Sequence, residues 1–258
     1  MNILTEIITK KRERVIAAQE IVPFDQVRRH AREGTHALRS ALQAPGINII
    51  AEFKRRSPSK GTIRANANLT EIVQSYEAGG AVAISVLTEE DYFDGSLNDL
   101  RAVKSAVKLP VLRKDFVFED YQVYESVAAG ADAILLIVAA LDDETLSRLR
   151  RLAEEELNMD ALVEVHTSDE MSRANAAGAT LIGVNNRDLR TFTVSLETSV
   201  ALAREAPREA LLISESGLHS SADLQRLRDA GYHGFLIGET LMRADDPAVM
   251  LRNLRNTL

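Results

Sequence analysis

Eight short apolar runs punctuate the chain, each ending in polar residues or glycine. They span Asn48–Lys54, Val82–Leu87, Pro110–Lys114, Ala133–Ile137, Ala161–Val165, Leu181–Asn185, Leu211–Glu215 and Gly234–Gly238. Near-continuous Val, Ile and Leu read as strands buried on both faces, the pattern of a parallel sheet. Between the runs the period changes. Leu69–Ala78 and Asp142–Leu157 gather their apolar residues on one helical face. Run starts lie 20 to 34 residues apart, enough for one strand, one helix and two short loops.

A weak internal repeat sharpens the picture. Helices are predicted to end at Gly79, Gly130, Gly178 and Gly231, each followed by a strand, at intervals of 51, 48 and 53 residues. Each glycine is expected to take the left-handed position that closes a helix. Two βα units repeated four times predict an α/β fold, a closed (β/α)8 TIM barrel. An open doubly wound sheet has the same strand count, but no Gly-x-Gly-x-x-Gly turn follows any run. Residues 1–47 form an N-terminal helical extension, with Ile3, Leu4, Ile7, Ile8, Val15 and Ile16 at helical spacing and Pro23 as an interruption. It is expected to cover the open bottom or rim of the barrel, or to roof a site. Residues 48–258 are then the barrel, and 1–258 a single catalytic domain.

Composition narrows the function classes. The 258 residues include no Cys and no Trp and carry a formal net charge of −7. Without Cys there is no disulfide framework, thiolate zinc site or cysteine nucleophile, and a reducing compartment fits. The acidic balance argues against nucleic acid. The longest apolar run, Ala133–Leu141, falls well short of the ~20 residues of a membrane span. The N-terminus mixes Glu6 with Lys10, Lys11 and Arg12 and lacks the apolar core of a signal peptide. The expectation is a soluble cytoplasmic protein with neither membrane nor nucleic-acid partner.

In a parallel barrel the chemistry sits at the C-terminal strand ends. Those ends carry Glu52 and Lys54, Lys114, Glu164, Asn185 and Arg187, Glu215, Ser216 and Gly217, and Gly238 and Glu239. Buried unpaired ions are costly, so such a ring is expected to pair internally or to bind something. Glu52 and Lys54 are two apart on a strand and share a face. A lysine crowded by a second cation holds its proton less tightly, which would suit acid–base work. The loop Arg55–Asn68 is long and rich in breakers, as lids and binding loops are. Lys54, Arg55, Arg56, Lys60, Arg113, Lys114 and Arg187 would make a basic mouth on an acidic protein, pointing to a small anionic substrate. The glycine turns at 217 and 238 each lead into a helix whose free N–H groups could hold phosphate. His166 lies two residues past Glu164, but no third ligand is evident, so no metal is expected. No Gly-x-Ser-x-Gly elbow occurs.

Several longer motifs stand in order: Glu52-Phe-Lys-Arg-Arg-Ser-Pro-Ser-Lys-Gly61, Ser85-Val-Leu-Thr-Glu-Glu-Asp-Tyr-Phe-Asp-Gly-Ser96, Leu112-Arg-Lys-Asp-Phe116, Gly183-Val-Asn-Asn-Arg-Asp-Leu189, Ser214-Glu-Ser-Gly217 and Phe235-Leu-Ile-Gly-Glu-Thr-Leu-Met242. Over nearly its whole length the chain resembles the indole-3-glycerol phosphate synthase family of tryptophan biosynthesis. The resemblance implies a lyase that needs no cofactor or metal. Its substrate would be 1-(2-carboxyphenylamino)-1-deoxyribulose 5-phosphate, which is cyclised, decarboxylated and dehydrated. It implies Lys114 as general acid, Glu164 as partner carboxylate, and Glu52 and Lys54 as the pair for dehydration and orientation. Asn185, Glu215 and Ser216 would ring the substrate's polar atoms, with Ser57 and Arg187 as anion contacts. Lys54, Arg187, Gly217, Gly238 and Glu239 would take the phosphate. Glu239 stands where some members carry Ser, so it is expected to act through its backbone N–H, side chain turned to solvent. Leu87, Phe93, Phe116 and Leu135 would seat the aromatic ring. A monomer or weak homo-oligomer is expected. The residues alone leave open a Schiff-base aldolase-type phosphosugar barrel using Lys114, and a non-catalytic phosphometabolite-binding barrel.

Overall fold

The computed structural model describes residues 3–31, 33–65 and 67–256. Met1, Asn2, Thr257 and Leu258 at the ends of the predicted domain, Arg32 in the extension and Asn66 in the predicted loop lie outside the described residues. Eight strands form one sheet: β1 (Asn48–Phe53), β2 (Ala83–Leu87), β3 (Val111–Lys114), β4 (Ala133–Ile137), β5 (Asp160–Val165), β6 (Leu181–Asn185), β7 (Leu211–Glu215) and β8 (Gly234–Ile237). Every neighbouring pair is parallel, and β8 returns to β1 in the register Asn48↔Gly234 to Ala51↔Ile237. The sheet is therefore a closed barrel, not an open doubly wound one. Strand alternation sends Ile50, Leu112, Leu135, Leu162, Ile213 and Leu236 to one apolar cluster inside. Ile49, Val86, Ile134, Val163 and Ile182 belong to a second cluster shared with the helices.

The outer helices are α4 (Leu69–Ala78), α5 (Leu97–Ala106), α6 (Asp120–Ala129), α7 (Asp143–Arg151), α8 (Ser168–Ala176), α9 (Glu197–Leu202), α10 (Ser221–Asp229), α11 (Glu239–Met242) and α12 (Pro247–Arg255). Asn68, Ser96, Asp142, Thr167 and Ser220 cap their helices by accepting from the N–H three residues on, each worth about 1 kcal/mol. Gly130, Gly178 and Gly231 take the predicted left-handed conformation. At the first repeat Gly80, not Gly79, does so. Gly79 is instead needed for contact, because a Cβ there would lie 2.8 Å from the Ala248 Cα of α12. The predicted 142–157 helix starts at its Asp142 cap but finishes as a wide π-helical turn, Leu152–Glu156. No helix among the described residues is long and apolar enough to cross a membrane.

The N-terminal extension divides its labour, serving both expected roles with different segments: α1 (Ile3–Ile21), α2 (Phe24–His30) and α3 (Ala37–Leu42). Helix α3 stoppers the bottom, Leu38 and Leu42 packing into the barrel's inner cluster. His36, at φ 49°, turns its ring to Asp160. The α3 N-terminus is capped instead from β5: the Asp160 carboxylate accepts the Arg39 N–H at 2.9 Å. Helix α1 runs over the opposite end, where Ile3, Leu4 and Ile7 face the mouth. The buried Lys11 pins it there, 2.9 Å from Asp115 and 2.7 Å from Glu90. Ile16 departs from the predicted apolar face and stands 60% exposed.

Candidate active site

A cavity of about 570 Å³ opens at the C-terminal ends of the strands. All sixteen candidate residues reach its wall. At its centre the Lys114 ammonium, from the end of β3, lies 3.1 Å from Glu164 on β5 and 3.3 Å from Glu215 on β7. Lys54 follows β1 directly, and its ammonium lies 2.6 Å from Glu52, on the face the two-residue offset predicts. That pair fits only because β8 ends in glycine. A Cβ on Gly238 would lie 2.4 Å from a Glu52 oxygen and 3.0 Å from the Lys54 nitrogen. Gly183 makes the same room for Glu215, at 2.3 Å.

One buried ammonium among several carboxylates sets the electrostatics. Burial works against the Lys114 charge, but Glu164, Glu215 and Glu52 override it and hold its pKa far above the ordinary value. This reverses the expectation of a proton loosened by a second cation: the charges nearest Lys114 are negative. Glu164 is likewise held below the usual carboxylate range, because Lys114 and His166 outweigh its burial. Glu215 goes the other way. Burial, with Glu164 and Glu52 nearby, pushes it up to about 8 despite Lys114. Its Oε1 is buried with no hydrogen-bond partner among the described residues. Of the carboxyl groups around Lys114, Glu215 is the one pushed toward neutral pH.

One side of the cavity is apolar. Leu87 and Leu135 are buried, and the Phe93 and Phe116 rings lie tilted with centroids 6.3 Å apart. Phe93 is set by a turn folded around the buried Glu89, whose carboxylate accepts the N–H groups of Asp91, Tyr92 and Phe93. The Ile3, Leu4 and Ile7 roof closes over this region, and Leu189, Phe192 and Val194 come from the loop after β6. These six were not among the sequence candidates. The only local signal for the loop residues is an apolar triplet within a polar stretch.

The other side is built from turns. Ser216 and Gly217 both have positive φ, and Val194 packs where a Gly217 side chain would be. The His219 ring meets the Thr240 hydroxyl at 3.1 Å, tying the turn after β7 to the one after β8. The α10 N-terminus is not the open anion site expected from its glycine turn. Asp223 and Ser220 form a capping box, and Asp223 also accepts the His219 N–H. Glu239 also departs from expectation. Its carboxylate is only a quarter exposed and pairs with Lys60 at 3.5 Å and Arg243 at 3.1 Å.

The basic mouth is smaller than predicted. Arg113, one residue before Lys114, points to the opposite face of β3. It is buried against Asp115 and Glu125, at 2.9 Å each. Arg55 makes a two-pronged pair with Asp99, at 2.7 and 2.8 Å. Arg56 is exposed near Asp94. Lys54, Lys60, Lys114 and Arg187 remain on the cavity wall. The loop after β1 is not structureless but a small antiparallel ribbon, Arg56–Ser57 with Gly61–Thr62, turned at Gly61 with φ 64°. It carries Ser57, Pro58, Ser59 and Lys60 over the mouth.

A family model described as indole-3-glycerol phosphate synthase matches residues 4–254. The chain is 46% identical over 262 aligned positions to the indole-3-glycerol phosphate synthase of Carboxydothermus hydrogenoformans, covering 97% of this chain and 98% of the relative. It is 52% identical over 209 positions to that of Koribacter versatilis, covering 81% and 80%. Among solved structures, the 3-hexulose-6-phosphate synthase of Salmonella typhimurium has a TM-score of 0.65 at 16% identity, covering 81% of this chain and 97% of that one. At that identity the likeness is one of fold.

Proposed function

The chain belongs to the indole-3-glycerol phosphate synthase family, and from that premise we propose how its residues divide the reaction. The enzyme closes the ring of 1-(2-carboxyphenylamino)-1-deoxyribulose 5-phosphate, releases CO2 and then water, and yields indole-3-glycerol phosphate. The observation that carries the assignment of roles is the Lys114 ammonium, clamped by Glu164 and Glu215 between an apolar wall and two glycine turns.

The aromatic ring lies against Leu87, Phe93, Phe116 and Leu135. The phosphate lies at the Gly217 and Gly238 turns, within reach of Lys54, Arg187, Ser57 and the Glu239 backbone. These remote contacts hold the reacting carbons together, which supplies much of the barrier reduction. The ring carbon bearing the carboxylate attacks the keto carbon, and Lys114 gives its proton to the keto oxygen as the C–C bond forms. Loss of CO2 returns the bonding pair to the ring. Lys54, oriented by Glu52, protonates the departing hydroxyl. Glu164 takes the adjacent C–H proton, and that bond's electrons become the new double bond. Two protons given and one taken match the single proton the overall reaction consumes. Asn185, Ser216 and Glu215 hydrogen-bond the anilino and hydroxyl groups.

The same reading treats residues 1–258 as one catalytic unit, free of metal and cofactor. It works in the cytoplasm, as a monomer or weak homo-oligomer, on a free metabolite and not on nucleic acid. The absence of Cys and the acidic charge support this. The test is product fluorescence: indole emission stands out because the protein has no Trp. Turnover with the anilino-deoxyribulose phosphate is expected. Folded protein that binds it without forming indole would be a binding barrel. A borohydride-trapped adduct on Lys114 would make it an aldolase-type enzyme.

A further inference from the structure

Behind Glu164 stands a group that none of the assigned roles uses. His166 follows β5 directly, and its side chain is only 9% exposed. Glu170, in the first turn of α8, takes the His166 N–H at 2.7 Å and its ring Nδ1 at 3.1 Å through the same oxygen, Oε2. A carboxylate accepts only, so Nδ1 carries a hydrogen, and the ring is fixed with Nε2 toward the mouth. Nε2 lies 3.4 Å from the Glu164 Oε1 and has no hydrogen-bond partner among the described residues. With only Nδ1 protonated, a buried lone pair would face an anionic oxygen. A proton on Nε2 removes that conflict and turns the contact into an ion pair. Glu164 then has distinct partners on its two oxygens, with Oε1 toward His166 and Oε2 toward Lys114.

We propose that His166, oriented by Glu170, is the positioning residue for Glu164: its imidazolium fixes the carboxylate and keeps it ionised to accept the substrate proton. The kinetic part rests on the assignment of Glu164 as proton acceptor; the His166–Glu164 coupling does not. The groups facing Glu164 are Lys114 from β3, Asn185 from β6, Glu215 from β7 and His166 itself. Those facing His166 are Glu170 from α8, Glu164 from β5 and Glu215 from β7. Burial disfavours the charged ring, but the carboxylates outweigh it and raise its pKa.

Two measurements on the full chain test this. Nitrogen NMR of the His166 ring reads the coupling without turnover. An imidazolium pattern at pH 7 is expected, with a titration midpoint that falls in both Glu164→Gln and Glu170→Gln. A neutral ring at pH 7, or a midpoint that Glu164→Gln leaves in place, overturns the proposal. Kinetics read the consequence. The positive ring lowers the Glu164 pKa, so His166→Ala moves the acid limb of the kcat profile to higher pH by about one unit, a tenfold loss on that limb. KM stays within about twofold, because His166 acts through Glu164. His166→Gln, whose amide can still donate to Oε1, recovers part of kcat. A kcat loss with an unmoved acid limb means a purely structural role and overturns the proposal. Should His166→Ala fail to fold, Glu170→Gln gives the same limb shift, smaller in size. If the parent enzyme turns over no substrate, the reaction assignment fails while the NMR result still decides the coupling.

Discussion

The two ends of this barrel surround their central buried acids differently. At the bottom, Asp160 is fully buried with fixed donors on hand: the Arg39 N–H at 2.9 Å and the His36 ring at 3.1 Å. Asn48 nearby donates to the carbonyls of Leu42 and Ala44, at 2.9 Å each. At the mouth one ammonium serves Glu164 and Glu215, while the Glu215 Oε1 lacks a hydrogen-bond partner among the described residues. Matched buried groups cost the fold little, whereas a buried charge short of partners costs several kcal/mol. The bottom is built to hold α3 in place. The mouth leaves bonding capacity for a molecule that arrives from outside, and the stable end makes that tolerable.

That contrast can be broken from either end. The largest effect is expected at the mouth: Lys114→Ala should lower kcat/KM at least ~10²-fold, and should lower the melting temperature too, because Glu164 and Glu215 lose the ammonium they share. Activity within a few-fold of the parent would remove Lys114 as the proton donor. At the bottom, Asp160→Ala should lose about 2–3 kcal/mol of stability, seen as a lower melting temperature, with kcat near the parent value. A kcat loss at unchanged stability would erase the distinction between the ends. Glu215 separates the two by pH. Its folded pKa, about 8, lies above its unfolded value, so its favourable contribution is complete below the ordinary carboxylate range and is lost as pH rises through about 8. Glu215→Gln should therefore stabilise the fold more at pH 9 than at pH 5, a difference thermal unfolding at the two values would reveal. The smallest effect belongs to the roof: Ile7→Ala trims apolar cover from the cavity and should raise KM about threefold at constant kcat.

What sequence alone determined is whatever repeats or lies at a fixed offset. Continuous Val, Ile and Leu runs located all eight strands to within a residue at every end, because a strand buried on both faces tolerates little else. Parallel order then placed Glu52, Lys114, Glu164 and Glu215 at one rim, and the two-residue offset put Lys54 beside Glu52. What only the tertiary structure decided is pairing through space. Lys114 meets a carboxylate 50 residues away, Arg55 is claimed by Asp99 44 residues away, and Lys11 by Glu90 79 residues away. Arg113 shows how small the margin is: one residue from Lys114, it faces the helices and leaves the mouth. The proton balance at Lys114 and the two roles of the extension belong to the same class. Each depends on which distant groups the closed barrel brings within a few ångströms, and charge–charge energies at that range depend on separation and burial, which no local periodicity encodes.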